Sequence, residues 1–192
     1  MTKSIKGTQT EQNLLKSFAG ESQARNRYGM FASAAEKEGF VQIAAIFDET
    51  ADQERIHAKN FFKFLEGGDL EITASYPAGK VGTTEENLAA SAAGEHHEWE
   101  NLYPEFAKIA EKEGFPEVSS QYKTISNAEK GHEERYKALL ANVKDGKVFK
   151  KASKVKWQCR KCGYITEGVE APKKCAACNH PQSYFEVKKE NW

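Results

Sequence analysis

The chain has no surplus of either charge: 28 Lys and Arg face 28 Asp and Glu across 192 residues. A general nucleic-acid binder needs a basic excess to displace counterions, and docking on an anionic membrane needs one too, so neither partner is expected. Long apolar runs are also missing, which argues against a bilayer span. The opening MTKSIKGTQT lacks the apolar centre of a secretory signal. These absences predict a soluble, cytoplasmic protein. Cysteine is scarce and confined. Its four copies all fall in the last 34 residues, as Cys159-x2-Cys162 and Cys175-x2-Cys178. In a reducing compartment, two such pairs read as a metal site rather than as disulfides.

Most of the chain is rich in Ala, Glu, Lys, Gln and Leu, all good helix formers. Thr8-x-x-Glu11 and Thr83-x-x-Glu86 have the form of capping boxes. Gly39 and Gly114 interrupt the helical stretches, and Pro116 suits the first turn of a new helix. Four helices are predicted, at about 9–38, 40–66, 84–113 and 116–144. Between the second and third lies a glycine-rich connection, residues 67–83. Two helical hairpins joined by one long crossover make the ferritin-like form of an all-α four-helix bundle. The expected division is a bundle over 1–146, a polar linker over 147–155, and a small cysteine module over 156–192. The module is too short for an apolar core of its own, so a metal must hold it together.

An internal repeat supports the bundle. Ala35–Phe40 (AEKEGF) recurs as Ala110–Phe115 at an offset of 75, and Glu54, His57 and Tyr28 map to Glu129, His132 and Tyr103 at the same offset. Glu21 maps to Glu95 at an offset of 74, so one extra residue lies between Glu95 and Tyr103. An insertion would turn the rest of a regular helix by about 100°. A one-residue π-bulge absorbs such an insertion, and Pro104 favours it because its ring clashes with the carbonyl four residues back. An i to i+5 hydrogen bond or a local break is predicted between Glu95 and Pro104.

The repeat superposes ligands as well as hydrophobes. Glu21 and Glu95 lie on two helices, while Glu54-x-x-His57 and Glu129-x-x-His132 lie on the other two. Residues three apart share a helix face, so each helix can aim its groups at a common point. This is the ligand pattern of di-iron carboxylate bundles. Four glutamates balance two ferrous ions, and imidazole suits iron. Glu98, one turn beyond Glu95, is a further candidate. Phe18, Ala19, Ala51, Ala92 and Ala128 are suited to inward faces beside the ligands. Tyr28 and Tyr103, two turns past Glu21 and Glu95, either donate to the carboxylates or are interface tyrosines. His96 and His97 read as outer or surface residues. In the module, Gly163 and Asn179 follow the two CxxC pairs and tolerate the left-handed turn such a knuckle needs. Four thiolates take zinc or a single iron. Trp157, Tyr164, Tyr184 and Phe185, which could enclose the centre, and the attached di-iron candidate, which needs an electron source, favour iron.

With GESQARNRY, ADQERIHAK, GEHHE and AEKGHEER in the bundle and the paired CxxC in the tail, the sequence resembles the rubrerythrin family over nearly its whole length. The resemblance implies a ferritin-like bundle followed by a rubredoxin-like domain. It implies three irons per chain, one di-iron pair and one mononuclear Fe(Cys)4, with zinc as a possible substitute. Glu54 and Glu129 would bridge the pair. Glu21 would be terminal on one iron along with Glu98 or His57, and Glu95 and His132 would be terminal on the other. Cys159, Cys162, Cys175 and Cys178 would hold the third. The implied activity is reduction of hydrogen peroxide to water in oxidative-stress defence. Electrons would come ultimately from NADH through a separate redox protein, a rubredoxin or its NADH-dependent reductase. The implied assembly is a head-to-tail homodimer. A ferritin-type ferroxidase and a zinc-ribbon interaction module on a helical scaffold are the alternatives.

Overall fold

The computed structural model describes residues 3–191. Four long helical segments carry the first three-quarters of the chain. Helix α1 spans Gln9–Lys37 and α2 spans Val41–Phe62. Helix α3, Thr84–His97, runs through a π-helical segment, Glu98–Leu102, into α4, Tyr103–Lys112. Helix α5 spans Pro116–Lys144.

The helix ends follow from their side chains. Thr83 and Glu86 form the reciprocal capping box, with Glu86 N to Thr83 Oγ1 at 3.2 Å and Thr83 N to Glu86 Oε2 at 2.8 Å. At the other start, Thr8 accepts from Glu11 N, but the Glu11 carboxylate reaches Gly7 N rather than Thr8 N. The two hairpin corners are copies of each other. Gly39 and Gly114 take φ of 86° and 83°. The following Phe40 and Phe115 each return an amide to the carbonyl five residues back, at 2.8 Å. This closes both helices with the same left-handed cap.

The π-helical segment stands where the repeat arithmetic puts an insertion. Tyr103 N–H bonds to Glu98 O, an i to i+5 bond. Ser126 Oγ of α5 donates to the Trp99 carbonyl at 3.0 Å, satisfying an acceptor in this segment. The phase recovers beyond it, so that Tyr103, Phe106, Ala107 and Ala110 are all buried.

Helix α2 ends at Phe62, four residues earlier than the sequence suggests. The crossover then runs without regular structure to Thr83. It lies against α1, with the Tyr76 ring over Gly20 and its hydroxyl on Lys16 O at 2.7 Å.

Two apolar clusters flank the middle of the bundle. One holds Tyr28, Phe31, Phe47, Leu88 and Tyr136, and the other Leu14, Phe61, Tyr103, Tyr122 and Ile125. Along α1, α2 and α5 the glutamate positions fall between these two sets. No helix among the described residues is long and apolar enough to cross a membrane.

The cysteine module is a three-stranded antiparallel sheet in the order β2-β1-β3. Its strands are β1, Lys150–Cys159, β2, Ile165–Glu170, and β3, Phe185–Val187. Residues 150–155 therefore belong to the central strand, not to a linker. Their lysine-rich run has no apolar alternation to announce a strand. Pairing with β2 resumes at Val155↔Gly168 after an irregularity beyond Lys150↔Glu170. Phe149 stacks on Phe40 at 6.2 Å, which sets the module's first residues against the start of α2.

Candidate metal centres

The bundle brings its predicted ligands together in two overlapping groups: Glu21, Glu54, His57 and Glu129, and Glu54, Glu95, Glu129 and His132. Within each group one ligand atom per residue lies within 4.8 Å of all the others. Glu54 and Glu129 belong to both, which is the geometry of two adjacent ions sharing two carboxylates. The imidazoles face inward through Nδ1. His57 Nδ1 is 3.0 Å from Glu54 Oε2 and 2.9 Å from Glu129 Oε1. His132 Nδ1 is 3.1 Å from Glu54 Oε1 and 2.9 Å from Glu129 Oε2.

All four glutamates are at most 1% exposed. Glu21 Oε2, Glu54 Oε1, Glu95 Oε2 and both Glu129 oxygens are buried without a well-directed hydrogen bond, although the imidazole Nδ1 atoms lie near Glu54 and Glu129. Buried carboxylates left this way are costly. Cations among them are the chemical remedy, and the residues present fit a pair of ions.

The electrostatics point the same way. Burial pushes the Glu21 carboxyl well above its ordinary range, and Glu129 and Glu54 push it further. Burial and then Glu54 lift Glu95 to about 8. Burial opposes a charged imidazole, yet the surrounding carboxylates raise His57 to about 10 and His132 to about 12. Metal ions would take the place of the imidazolium protons among these carboxylates.

Each phenol serves the opposite helix. Tyr28 of α1 donates to Glu95 Oε1 of α3 at 2.5 Å, while Tyr103 of α4 donates to Glu21 Oε1 of α1. Burial and the adjoining carboxylates hold both phenols well above their usual range, so they remain donors.

Glu98 stands apart from both groups. It lines a cavity of about 290 Å³ with Arg27, Tyr76, His97 and Tyr103, beneath the crossover. Burial, then Glu95, Glu129 and Glu54, raise its carboxyl well above the ordinary range. His96 is half-exposed, with Nδ1 3.1 Å from Glu133, and His97 is exposed. Ala51 and Ala92 are buried as expected, and Phe18, Ala19 and Ala128 are partly so.

Sequence reasoning missed Gln53 and Arg135. Gln53 Oε1 lies 3.0 Å from His132 Nε2, and Arg135 bonds Gln53, Thr50 and Glu49. A comparison of the two repeats is the signal that could have found them, because Gln53 maps to Ala128.

The four cysteines converge in the module. Cys159 Sγ is 3.8 Å from Cys178 Sγ, and Cys162 Sγ is 3.7 Å from Cys175 Sγ. A tetrahedron with metal–sulfur distances of about 2.3 Å has edges of about 3.8 Å. Gly163 and Asn179 take φ of 79° and 62°, closing the two knuckles. Burial opposes the Cys175 thiolate, but the amides of Cys178 and Ala177 point at it and bring it to about 7. Trp157 and Phe185 are buried around the centre, and Tyr164 and Tyr184 pack against them.

Known proteins share this arrangement. The family model for rubrerythrin matches residues 12–140, and that for the rubrerythrin rubredoxin-like domain matches residues 157–186. The rubrerythrin of Porphyromonas gingivalis is 59% identical over 192 residues, covering 100% of this chain and 96% of its own. That of Nitratidesulfovibrio vulgaris is 56% identical over 190 residues, covering 99% and 100%. The fully reduced, all-ferrous state of nigerythrin superposes with a TM-score of 0.64 at 30% identity, covering 96% of this chain and 92% of that one. Symerythrin from Cyanophora paradoxa, at a TM-score of 0.63 and 24% identity, covers 74% and 89% and shares the bundle fold. With relatives matching from end to end and family models spanning both the bundle and the cysteine module, the chain belongs to the rubrerythrin family.

Proposed function

We propose that the chain is a non-haem di-iron peroxidase that reduces hydrogen peroxide to two waters, fed by electrons from a mononuclear iron in the cysteine module. The observation that carries this reading is the pair of ligand groups sharing Glu54 and Glu129, with a four-cysteine centre on the same chain. Glu21 and His57 would complete the ligands of one ion, and Glu95 and His132 those of the other. When bound, the ferrous pair supplies two electrons together and the Lewis acidity that polarises peroxide.

The protein's own groups do the rest. Tyr28 and Tyr103 keep their protons and fix Glu95 and Glu21. The apolar clusters cover the site on two sides, and a groove between α2 and α5 leaves His57 and His132 slightly exposed. Glu98 is placed between the cavity and the ligands, and its proton affinity lets a carboxylate oxygen hold one of the two protons that peroxide reduction consumes.

Cys159, Cys162, Cys175 and Cys178 would hold a single iron, whose chemistry is one-electron transfer. No glycine-rich dinucleotide fingerprint is evident, so NADH acts through a separate redox protein. A head-to-tail dimer places one chain's module beside the other chain's di-iron pair. Three features support it. Phe149 holds the module near Phe40, roughly 21 Å along α2 from Glu54 at 1.5 Å per residue. A groove lined by His57, His132 and Gly131 opens between α2 and α5. Charge is also segregated. Residues 147–192 hold eleven Lys and Arg against four Asp and Glu, a net of +7, and residues 1–146 hold seventeen against twenty-four, a net of −7.

The test is anaerobic reduction, then one equivalent of peroxide or of dioxygen. Peroxide should reoxidise the protein much faster. Faster reaction with dioxygen would overturn the peroxidase reading. Dimers mixed from Cys159→Ser and Glu54→Ala chains should regain activity that neither parent has. No recovery would count against transfer between chains.

A further inference from the structure

The two ion sites have the same ligand types, yet their histidines are held differently. Arg135 Nη2 lies 3.3 Å from Gln53 Oε1 and 2.7 Å from Thr50 Oγ1, and Arg135 Nη1 lies 2.6 Å from Glu49 Oε1. A guanidinium can only donate, so the Gln53 atom it meets is the acceptor oxygen. His132 Nε2 meets that same oxygen at 3.0 Å, so it must carry a hydrogen. The neutral ring is then left with a bare Nδ1, the atom that faces Glu54, Glu95 and Glu129.

His57 has no such device. At the repeat offset of 75, Gln53 becomes Ala128, Glu49 becomes Thr124, Thr50 becomes Ile125, and Arg135 comes from Asn60. Thr124 spends its hydroxyl on the carbonyls of Ser120 and Gln121, and Asn60 accepts from Lys63. Among the described residues, the polar side-chain contacts of His57 are through Nδ1 alone, to Glu54 and Glu129, and its ring stacks on that of His132. The groove of about 370 Å³ that runs past both rings is walled at His132 by Gln53 and Arg135, whereas at His57 its walls are Ala128 and Gly131, which offer no side-chain partner.

We infer that Gln53, held by Arg135, is a positioning residue that locks His132 as an Nδ1 ligand, and that Ala128 at the matching place gives His57 no such lock. The two imidazoles are thereby held unequally within a nearly symmetric ligand set. The inference rests on the two-ion reading and names what makes the two ions unequal.

The test uses the full chain loaded with zinc and needs no turnover. Nitrogen–proton NMR of the imidazoles should show a solvent-protected Nε2–H for His132 and a rapidly exchanging one for His57. A chelator should remove one bundle zinc faster than the other. Gln53→Ala should abolish the protected signal and speed loss of the slower ion 10- to 100-fold, the usual effect of removing a ligand's outer partner. Gln53→Glu should restore both. Ala128→Gln should create a second protected signal, from His57, and slow loss of the faster ion. Equal protection of the two rings in the native chain, or equal acceleration of both ions in Gln53→Ala, would overturn the inference. A native bundle retaining fewer than two zinc ions would instead defeat the two-ion reading itself.

Discussion

The first helical hairpin and the second differ more around their shared ligands than in them. Glu21, Glu54, His57 and Tyr28 recur as Glu95, Glu129, His132 and Tyr103. Even the aromatic walls correspond, with Phe47 against Tyr122 and Phe61 against Tyr136. The surroundings do not. Glu98 maps to Ala24, Gln53 to Ala128, Ser126 to Ala51 and Glu133 to Ala58. In each of these pairs one half bears a polar group and the other an alanine. Duplication accounts for two ions side by side. The alanine exchanges account for the unequal surroundings of the two ligand groups.

Substituting Glu98 by alanine makes the third helix match the first, and it is the change with the largest expected effect. Glu98 lies outside both ligand groups, and its raised proton affinity suits it to holding a proton rather than an ion. Glu98→Ala should retain both bundle irons yet lose turnover on the order of 100-fold. Iron analysis beside steady-state peroxide reduction measures both. Loss of iron in step with activity would make Glu98 an ordinary ligand.

Removing the ions should reverse the pH dependence of the bundle. The carboxyl of Glu95 moves from 4.5 to about 8 on folding, through burial and then Glu54. His57 moves from 6.5 to about 10, since Glu129 and Glu54 outweigh burial. Both folded values are raised, so both groups stabilise the fold fully at low pH and lose that contribution as pH climbs through 8 and 10. Glu54, whose burial is outweighed by His132 and His57, falls to about 2 and acts only below that window. The metal-free Tm should therefore decline from pH 5 to pH 10. The loaded protein should instead gain stability up to neutrality, because ions and protons compete for the same atoms. Parallel curves for the two forms would contradict the ligand assignment.

Much of this organisation can be read in the sequence, because the repeat supplies an internal reference. The insertion between Glu95 and Tyr103 shows as a change of offset, and the structure places a π-helical segment at Glu98–Leu102. The six clustered ligands are legible for the same reason. The crossing of the phenols is not. Spacing puts Tyr28 two turns from Glu21, but only the packing of α1 on α3 carries its hydroxyl to Glu95. Gln53 and Arg135 carry no periodic signal, since a polar residue on a half-exposed helix face looks like solvated surface. The strand at Lys150–Val155 hides for a related reason. Its pairing with β2 is interrupted between Lys150 and Val155, and its lysines give no two-residue apolar alternation.

The crossed phenols give a matched pair of smaller perturbations. Tyr28→Phe and Tyr103→Phe each delete one hydrogen bond to a buried carboxylate, at a cost of about 1.5–3 kcal/mol. If the halves are equivalent here, the two losses should agree, and the double variant should be additive because the bonds share no partner. Urea unfolding of the metal-loaded chain measures this. A much larger loss for Tyr103→Phe would show that the π-helical segment depends on the bond to Glu21, with Tyr103 N–H already committed to Glu98 O.

The smallest expected effect concerns what holds that segment. Trp99 Nε1 donates to Glu133 Oε2 at 2.5 Å, and Ser126 Oγ caps the Trp99 carbonyl. The matching positions Ala58 and Ala51 offer neither contact, and the helix packed there, α1, is regular. Trp99→Phe keeps the ring and removes one donor. Glu133 retains His96 and Lys137, so the cost should be about 1 kcal/mol, or roughly 2–4 °C in Tm. Ser126→Ala should cost about the same, since one acceptor loses its donor. The decisive reading is hydrogen exchange at the Tyr103 amide, whose bond to Glu98 O spans the segment. Faster exchange in both variants, with little change at Ala107, would show that Trp99 and Ser126 pin the irregular turn. Unchanged exchange would mean that the extra residue alone enforces it, and that the alanines at 51 and 58 reflect packing in the first hairpin rather than the absence of a bulge to hold.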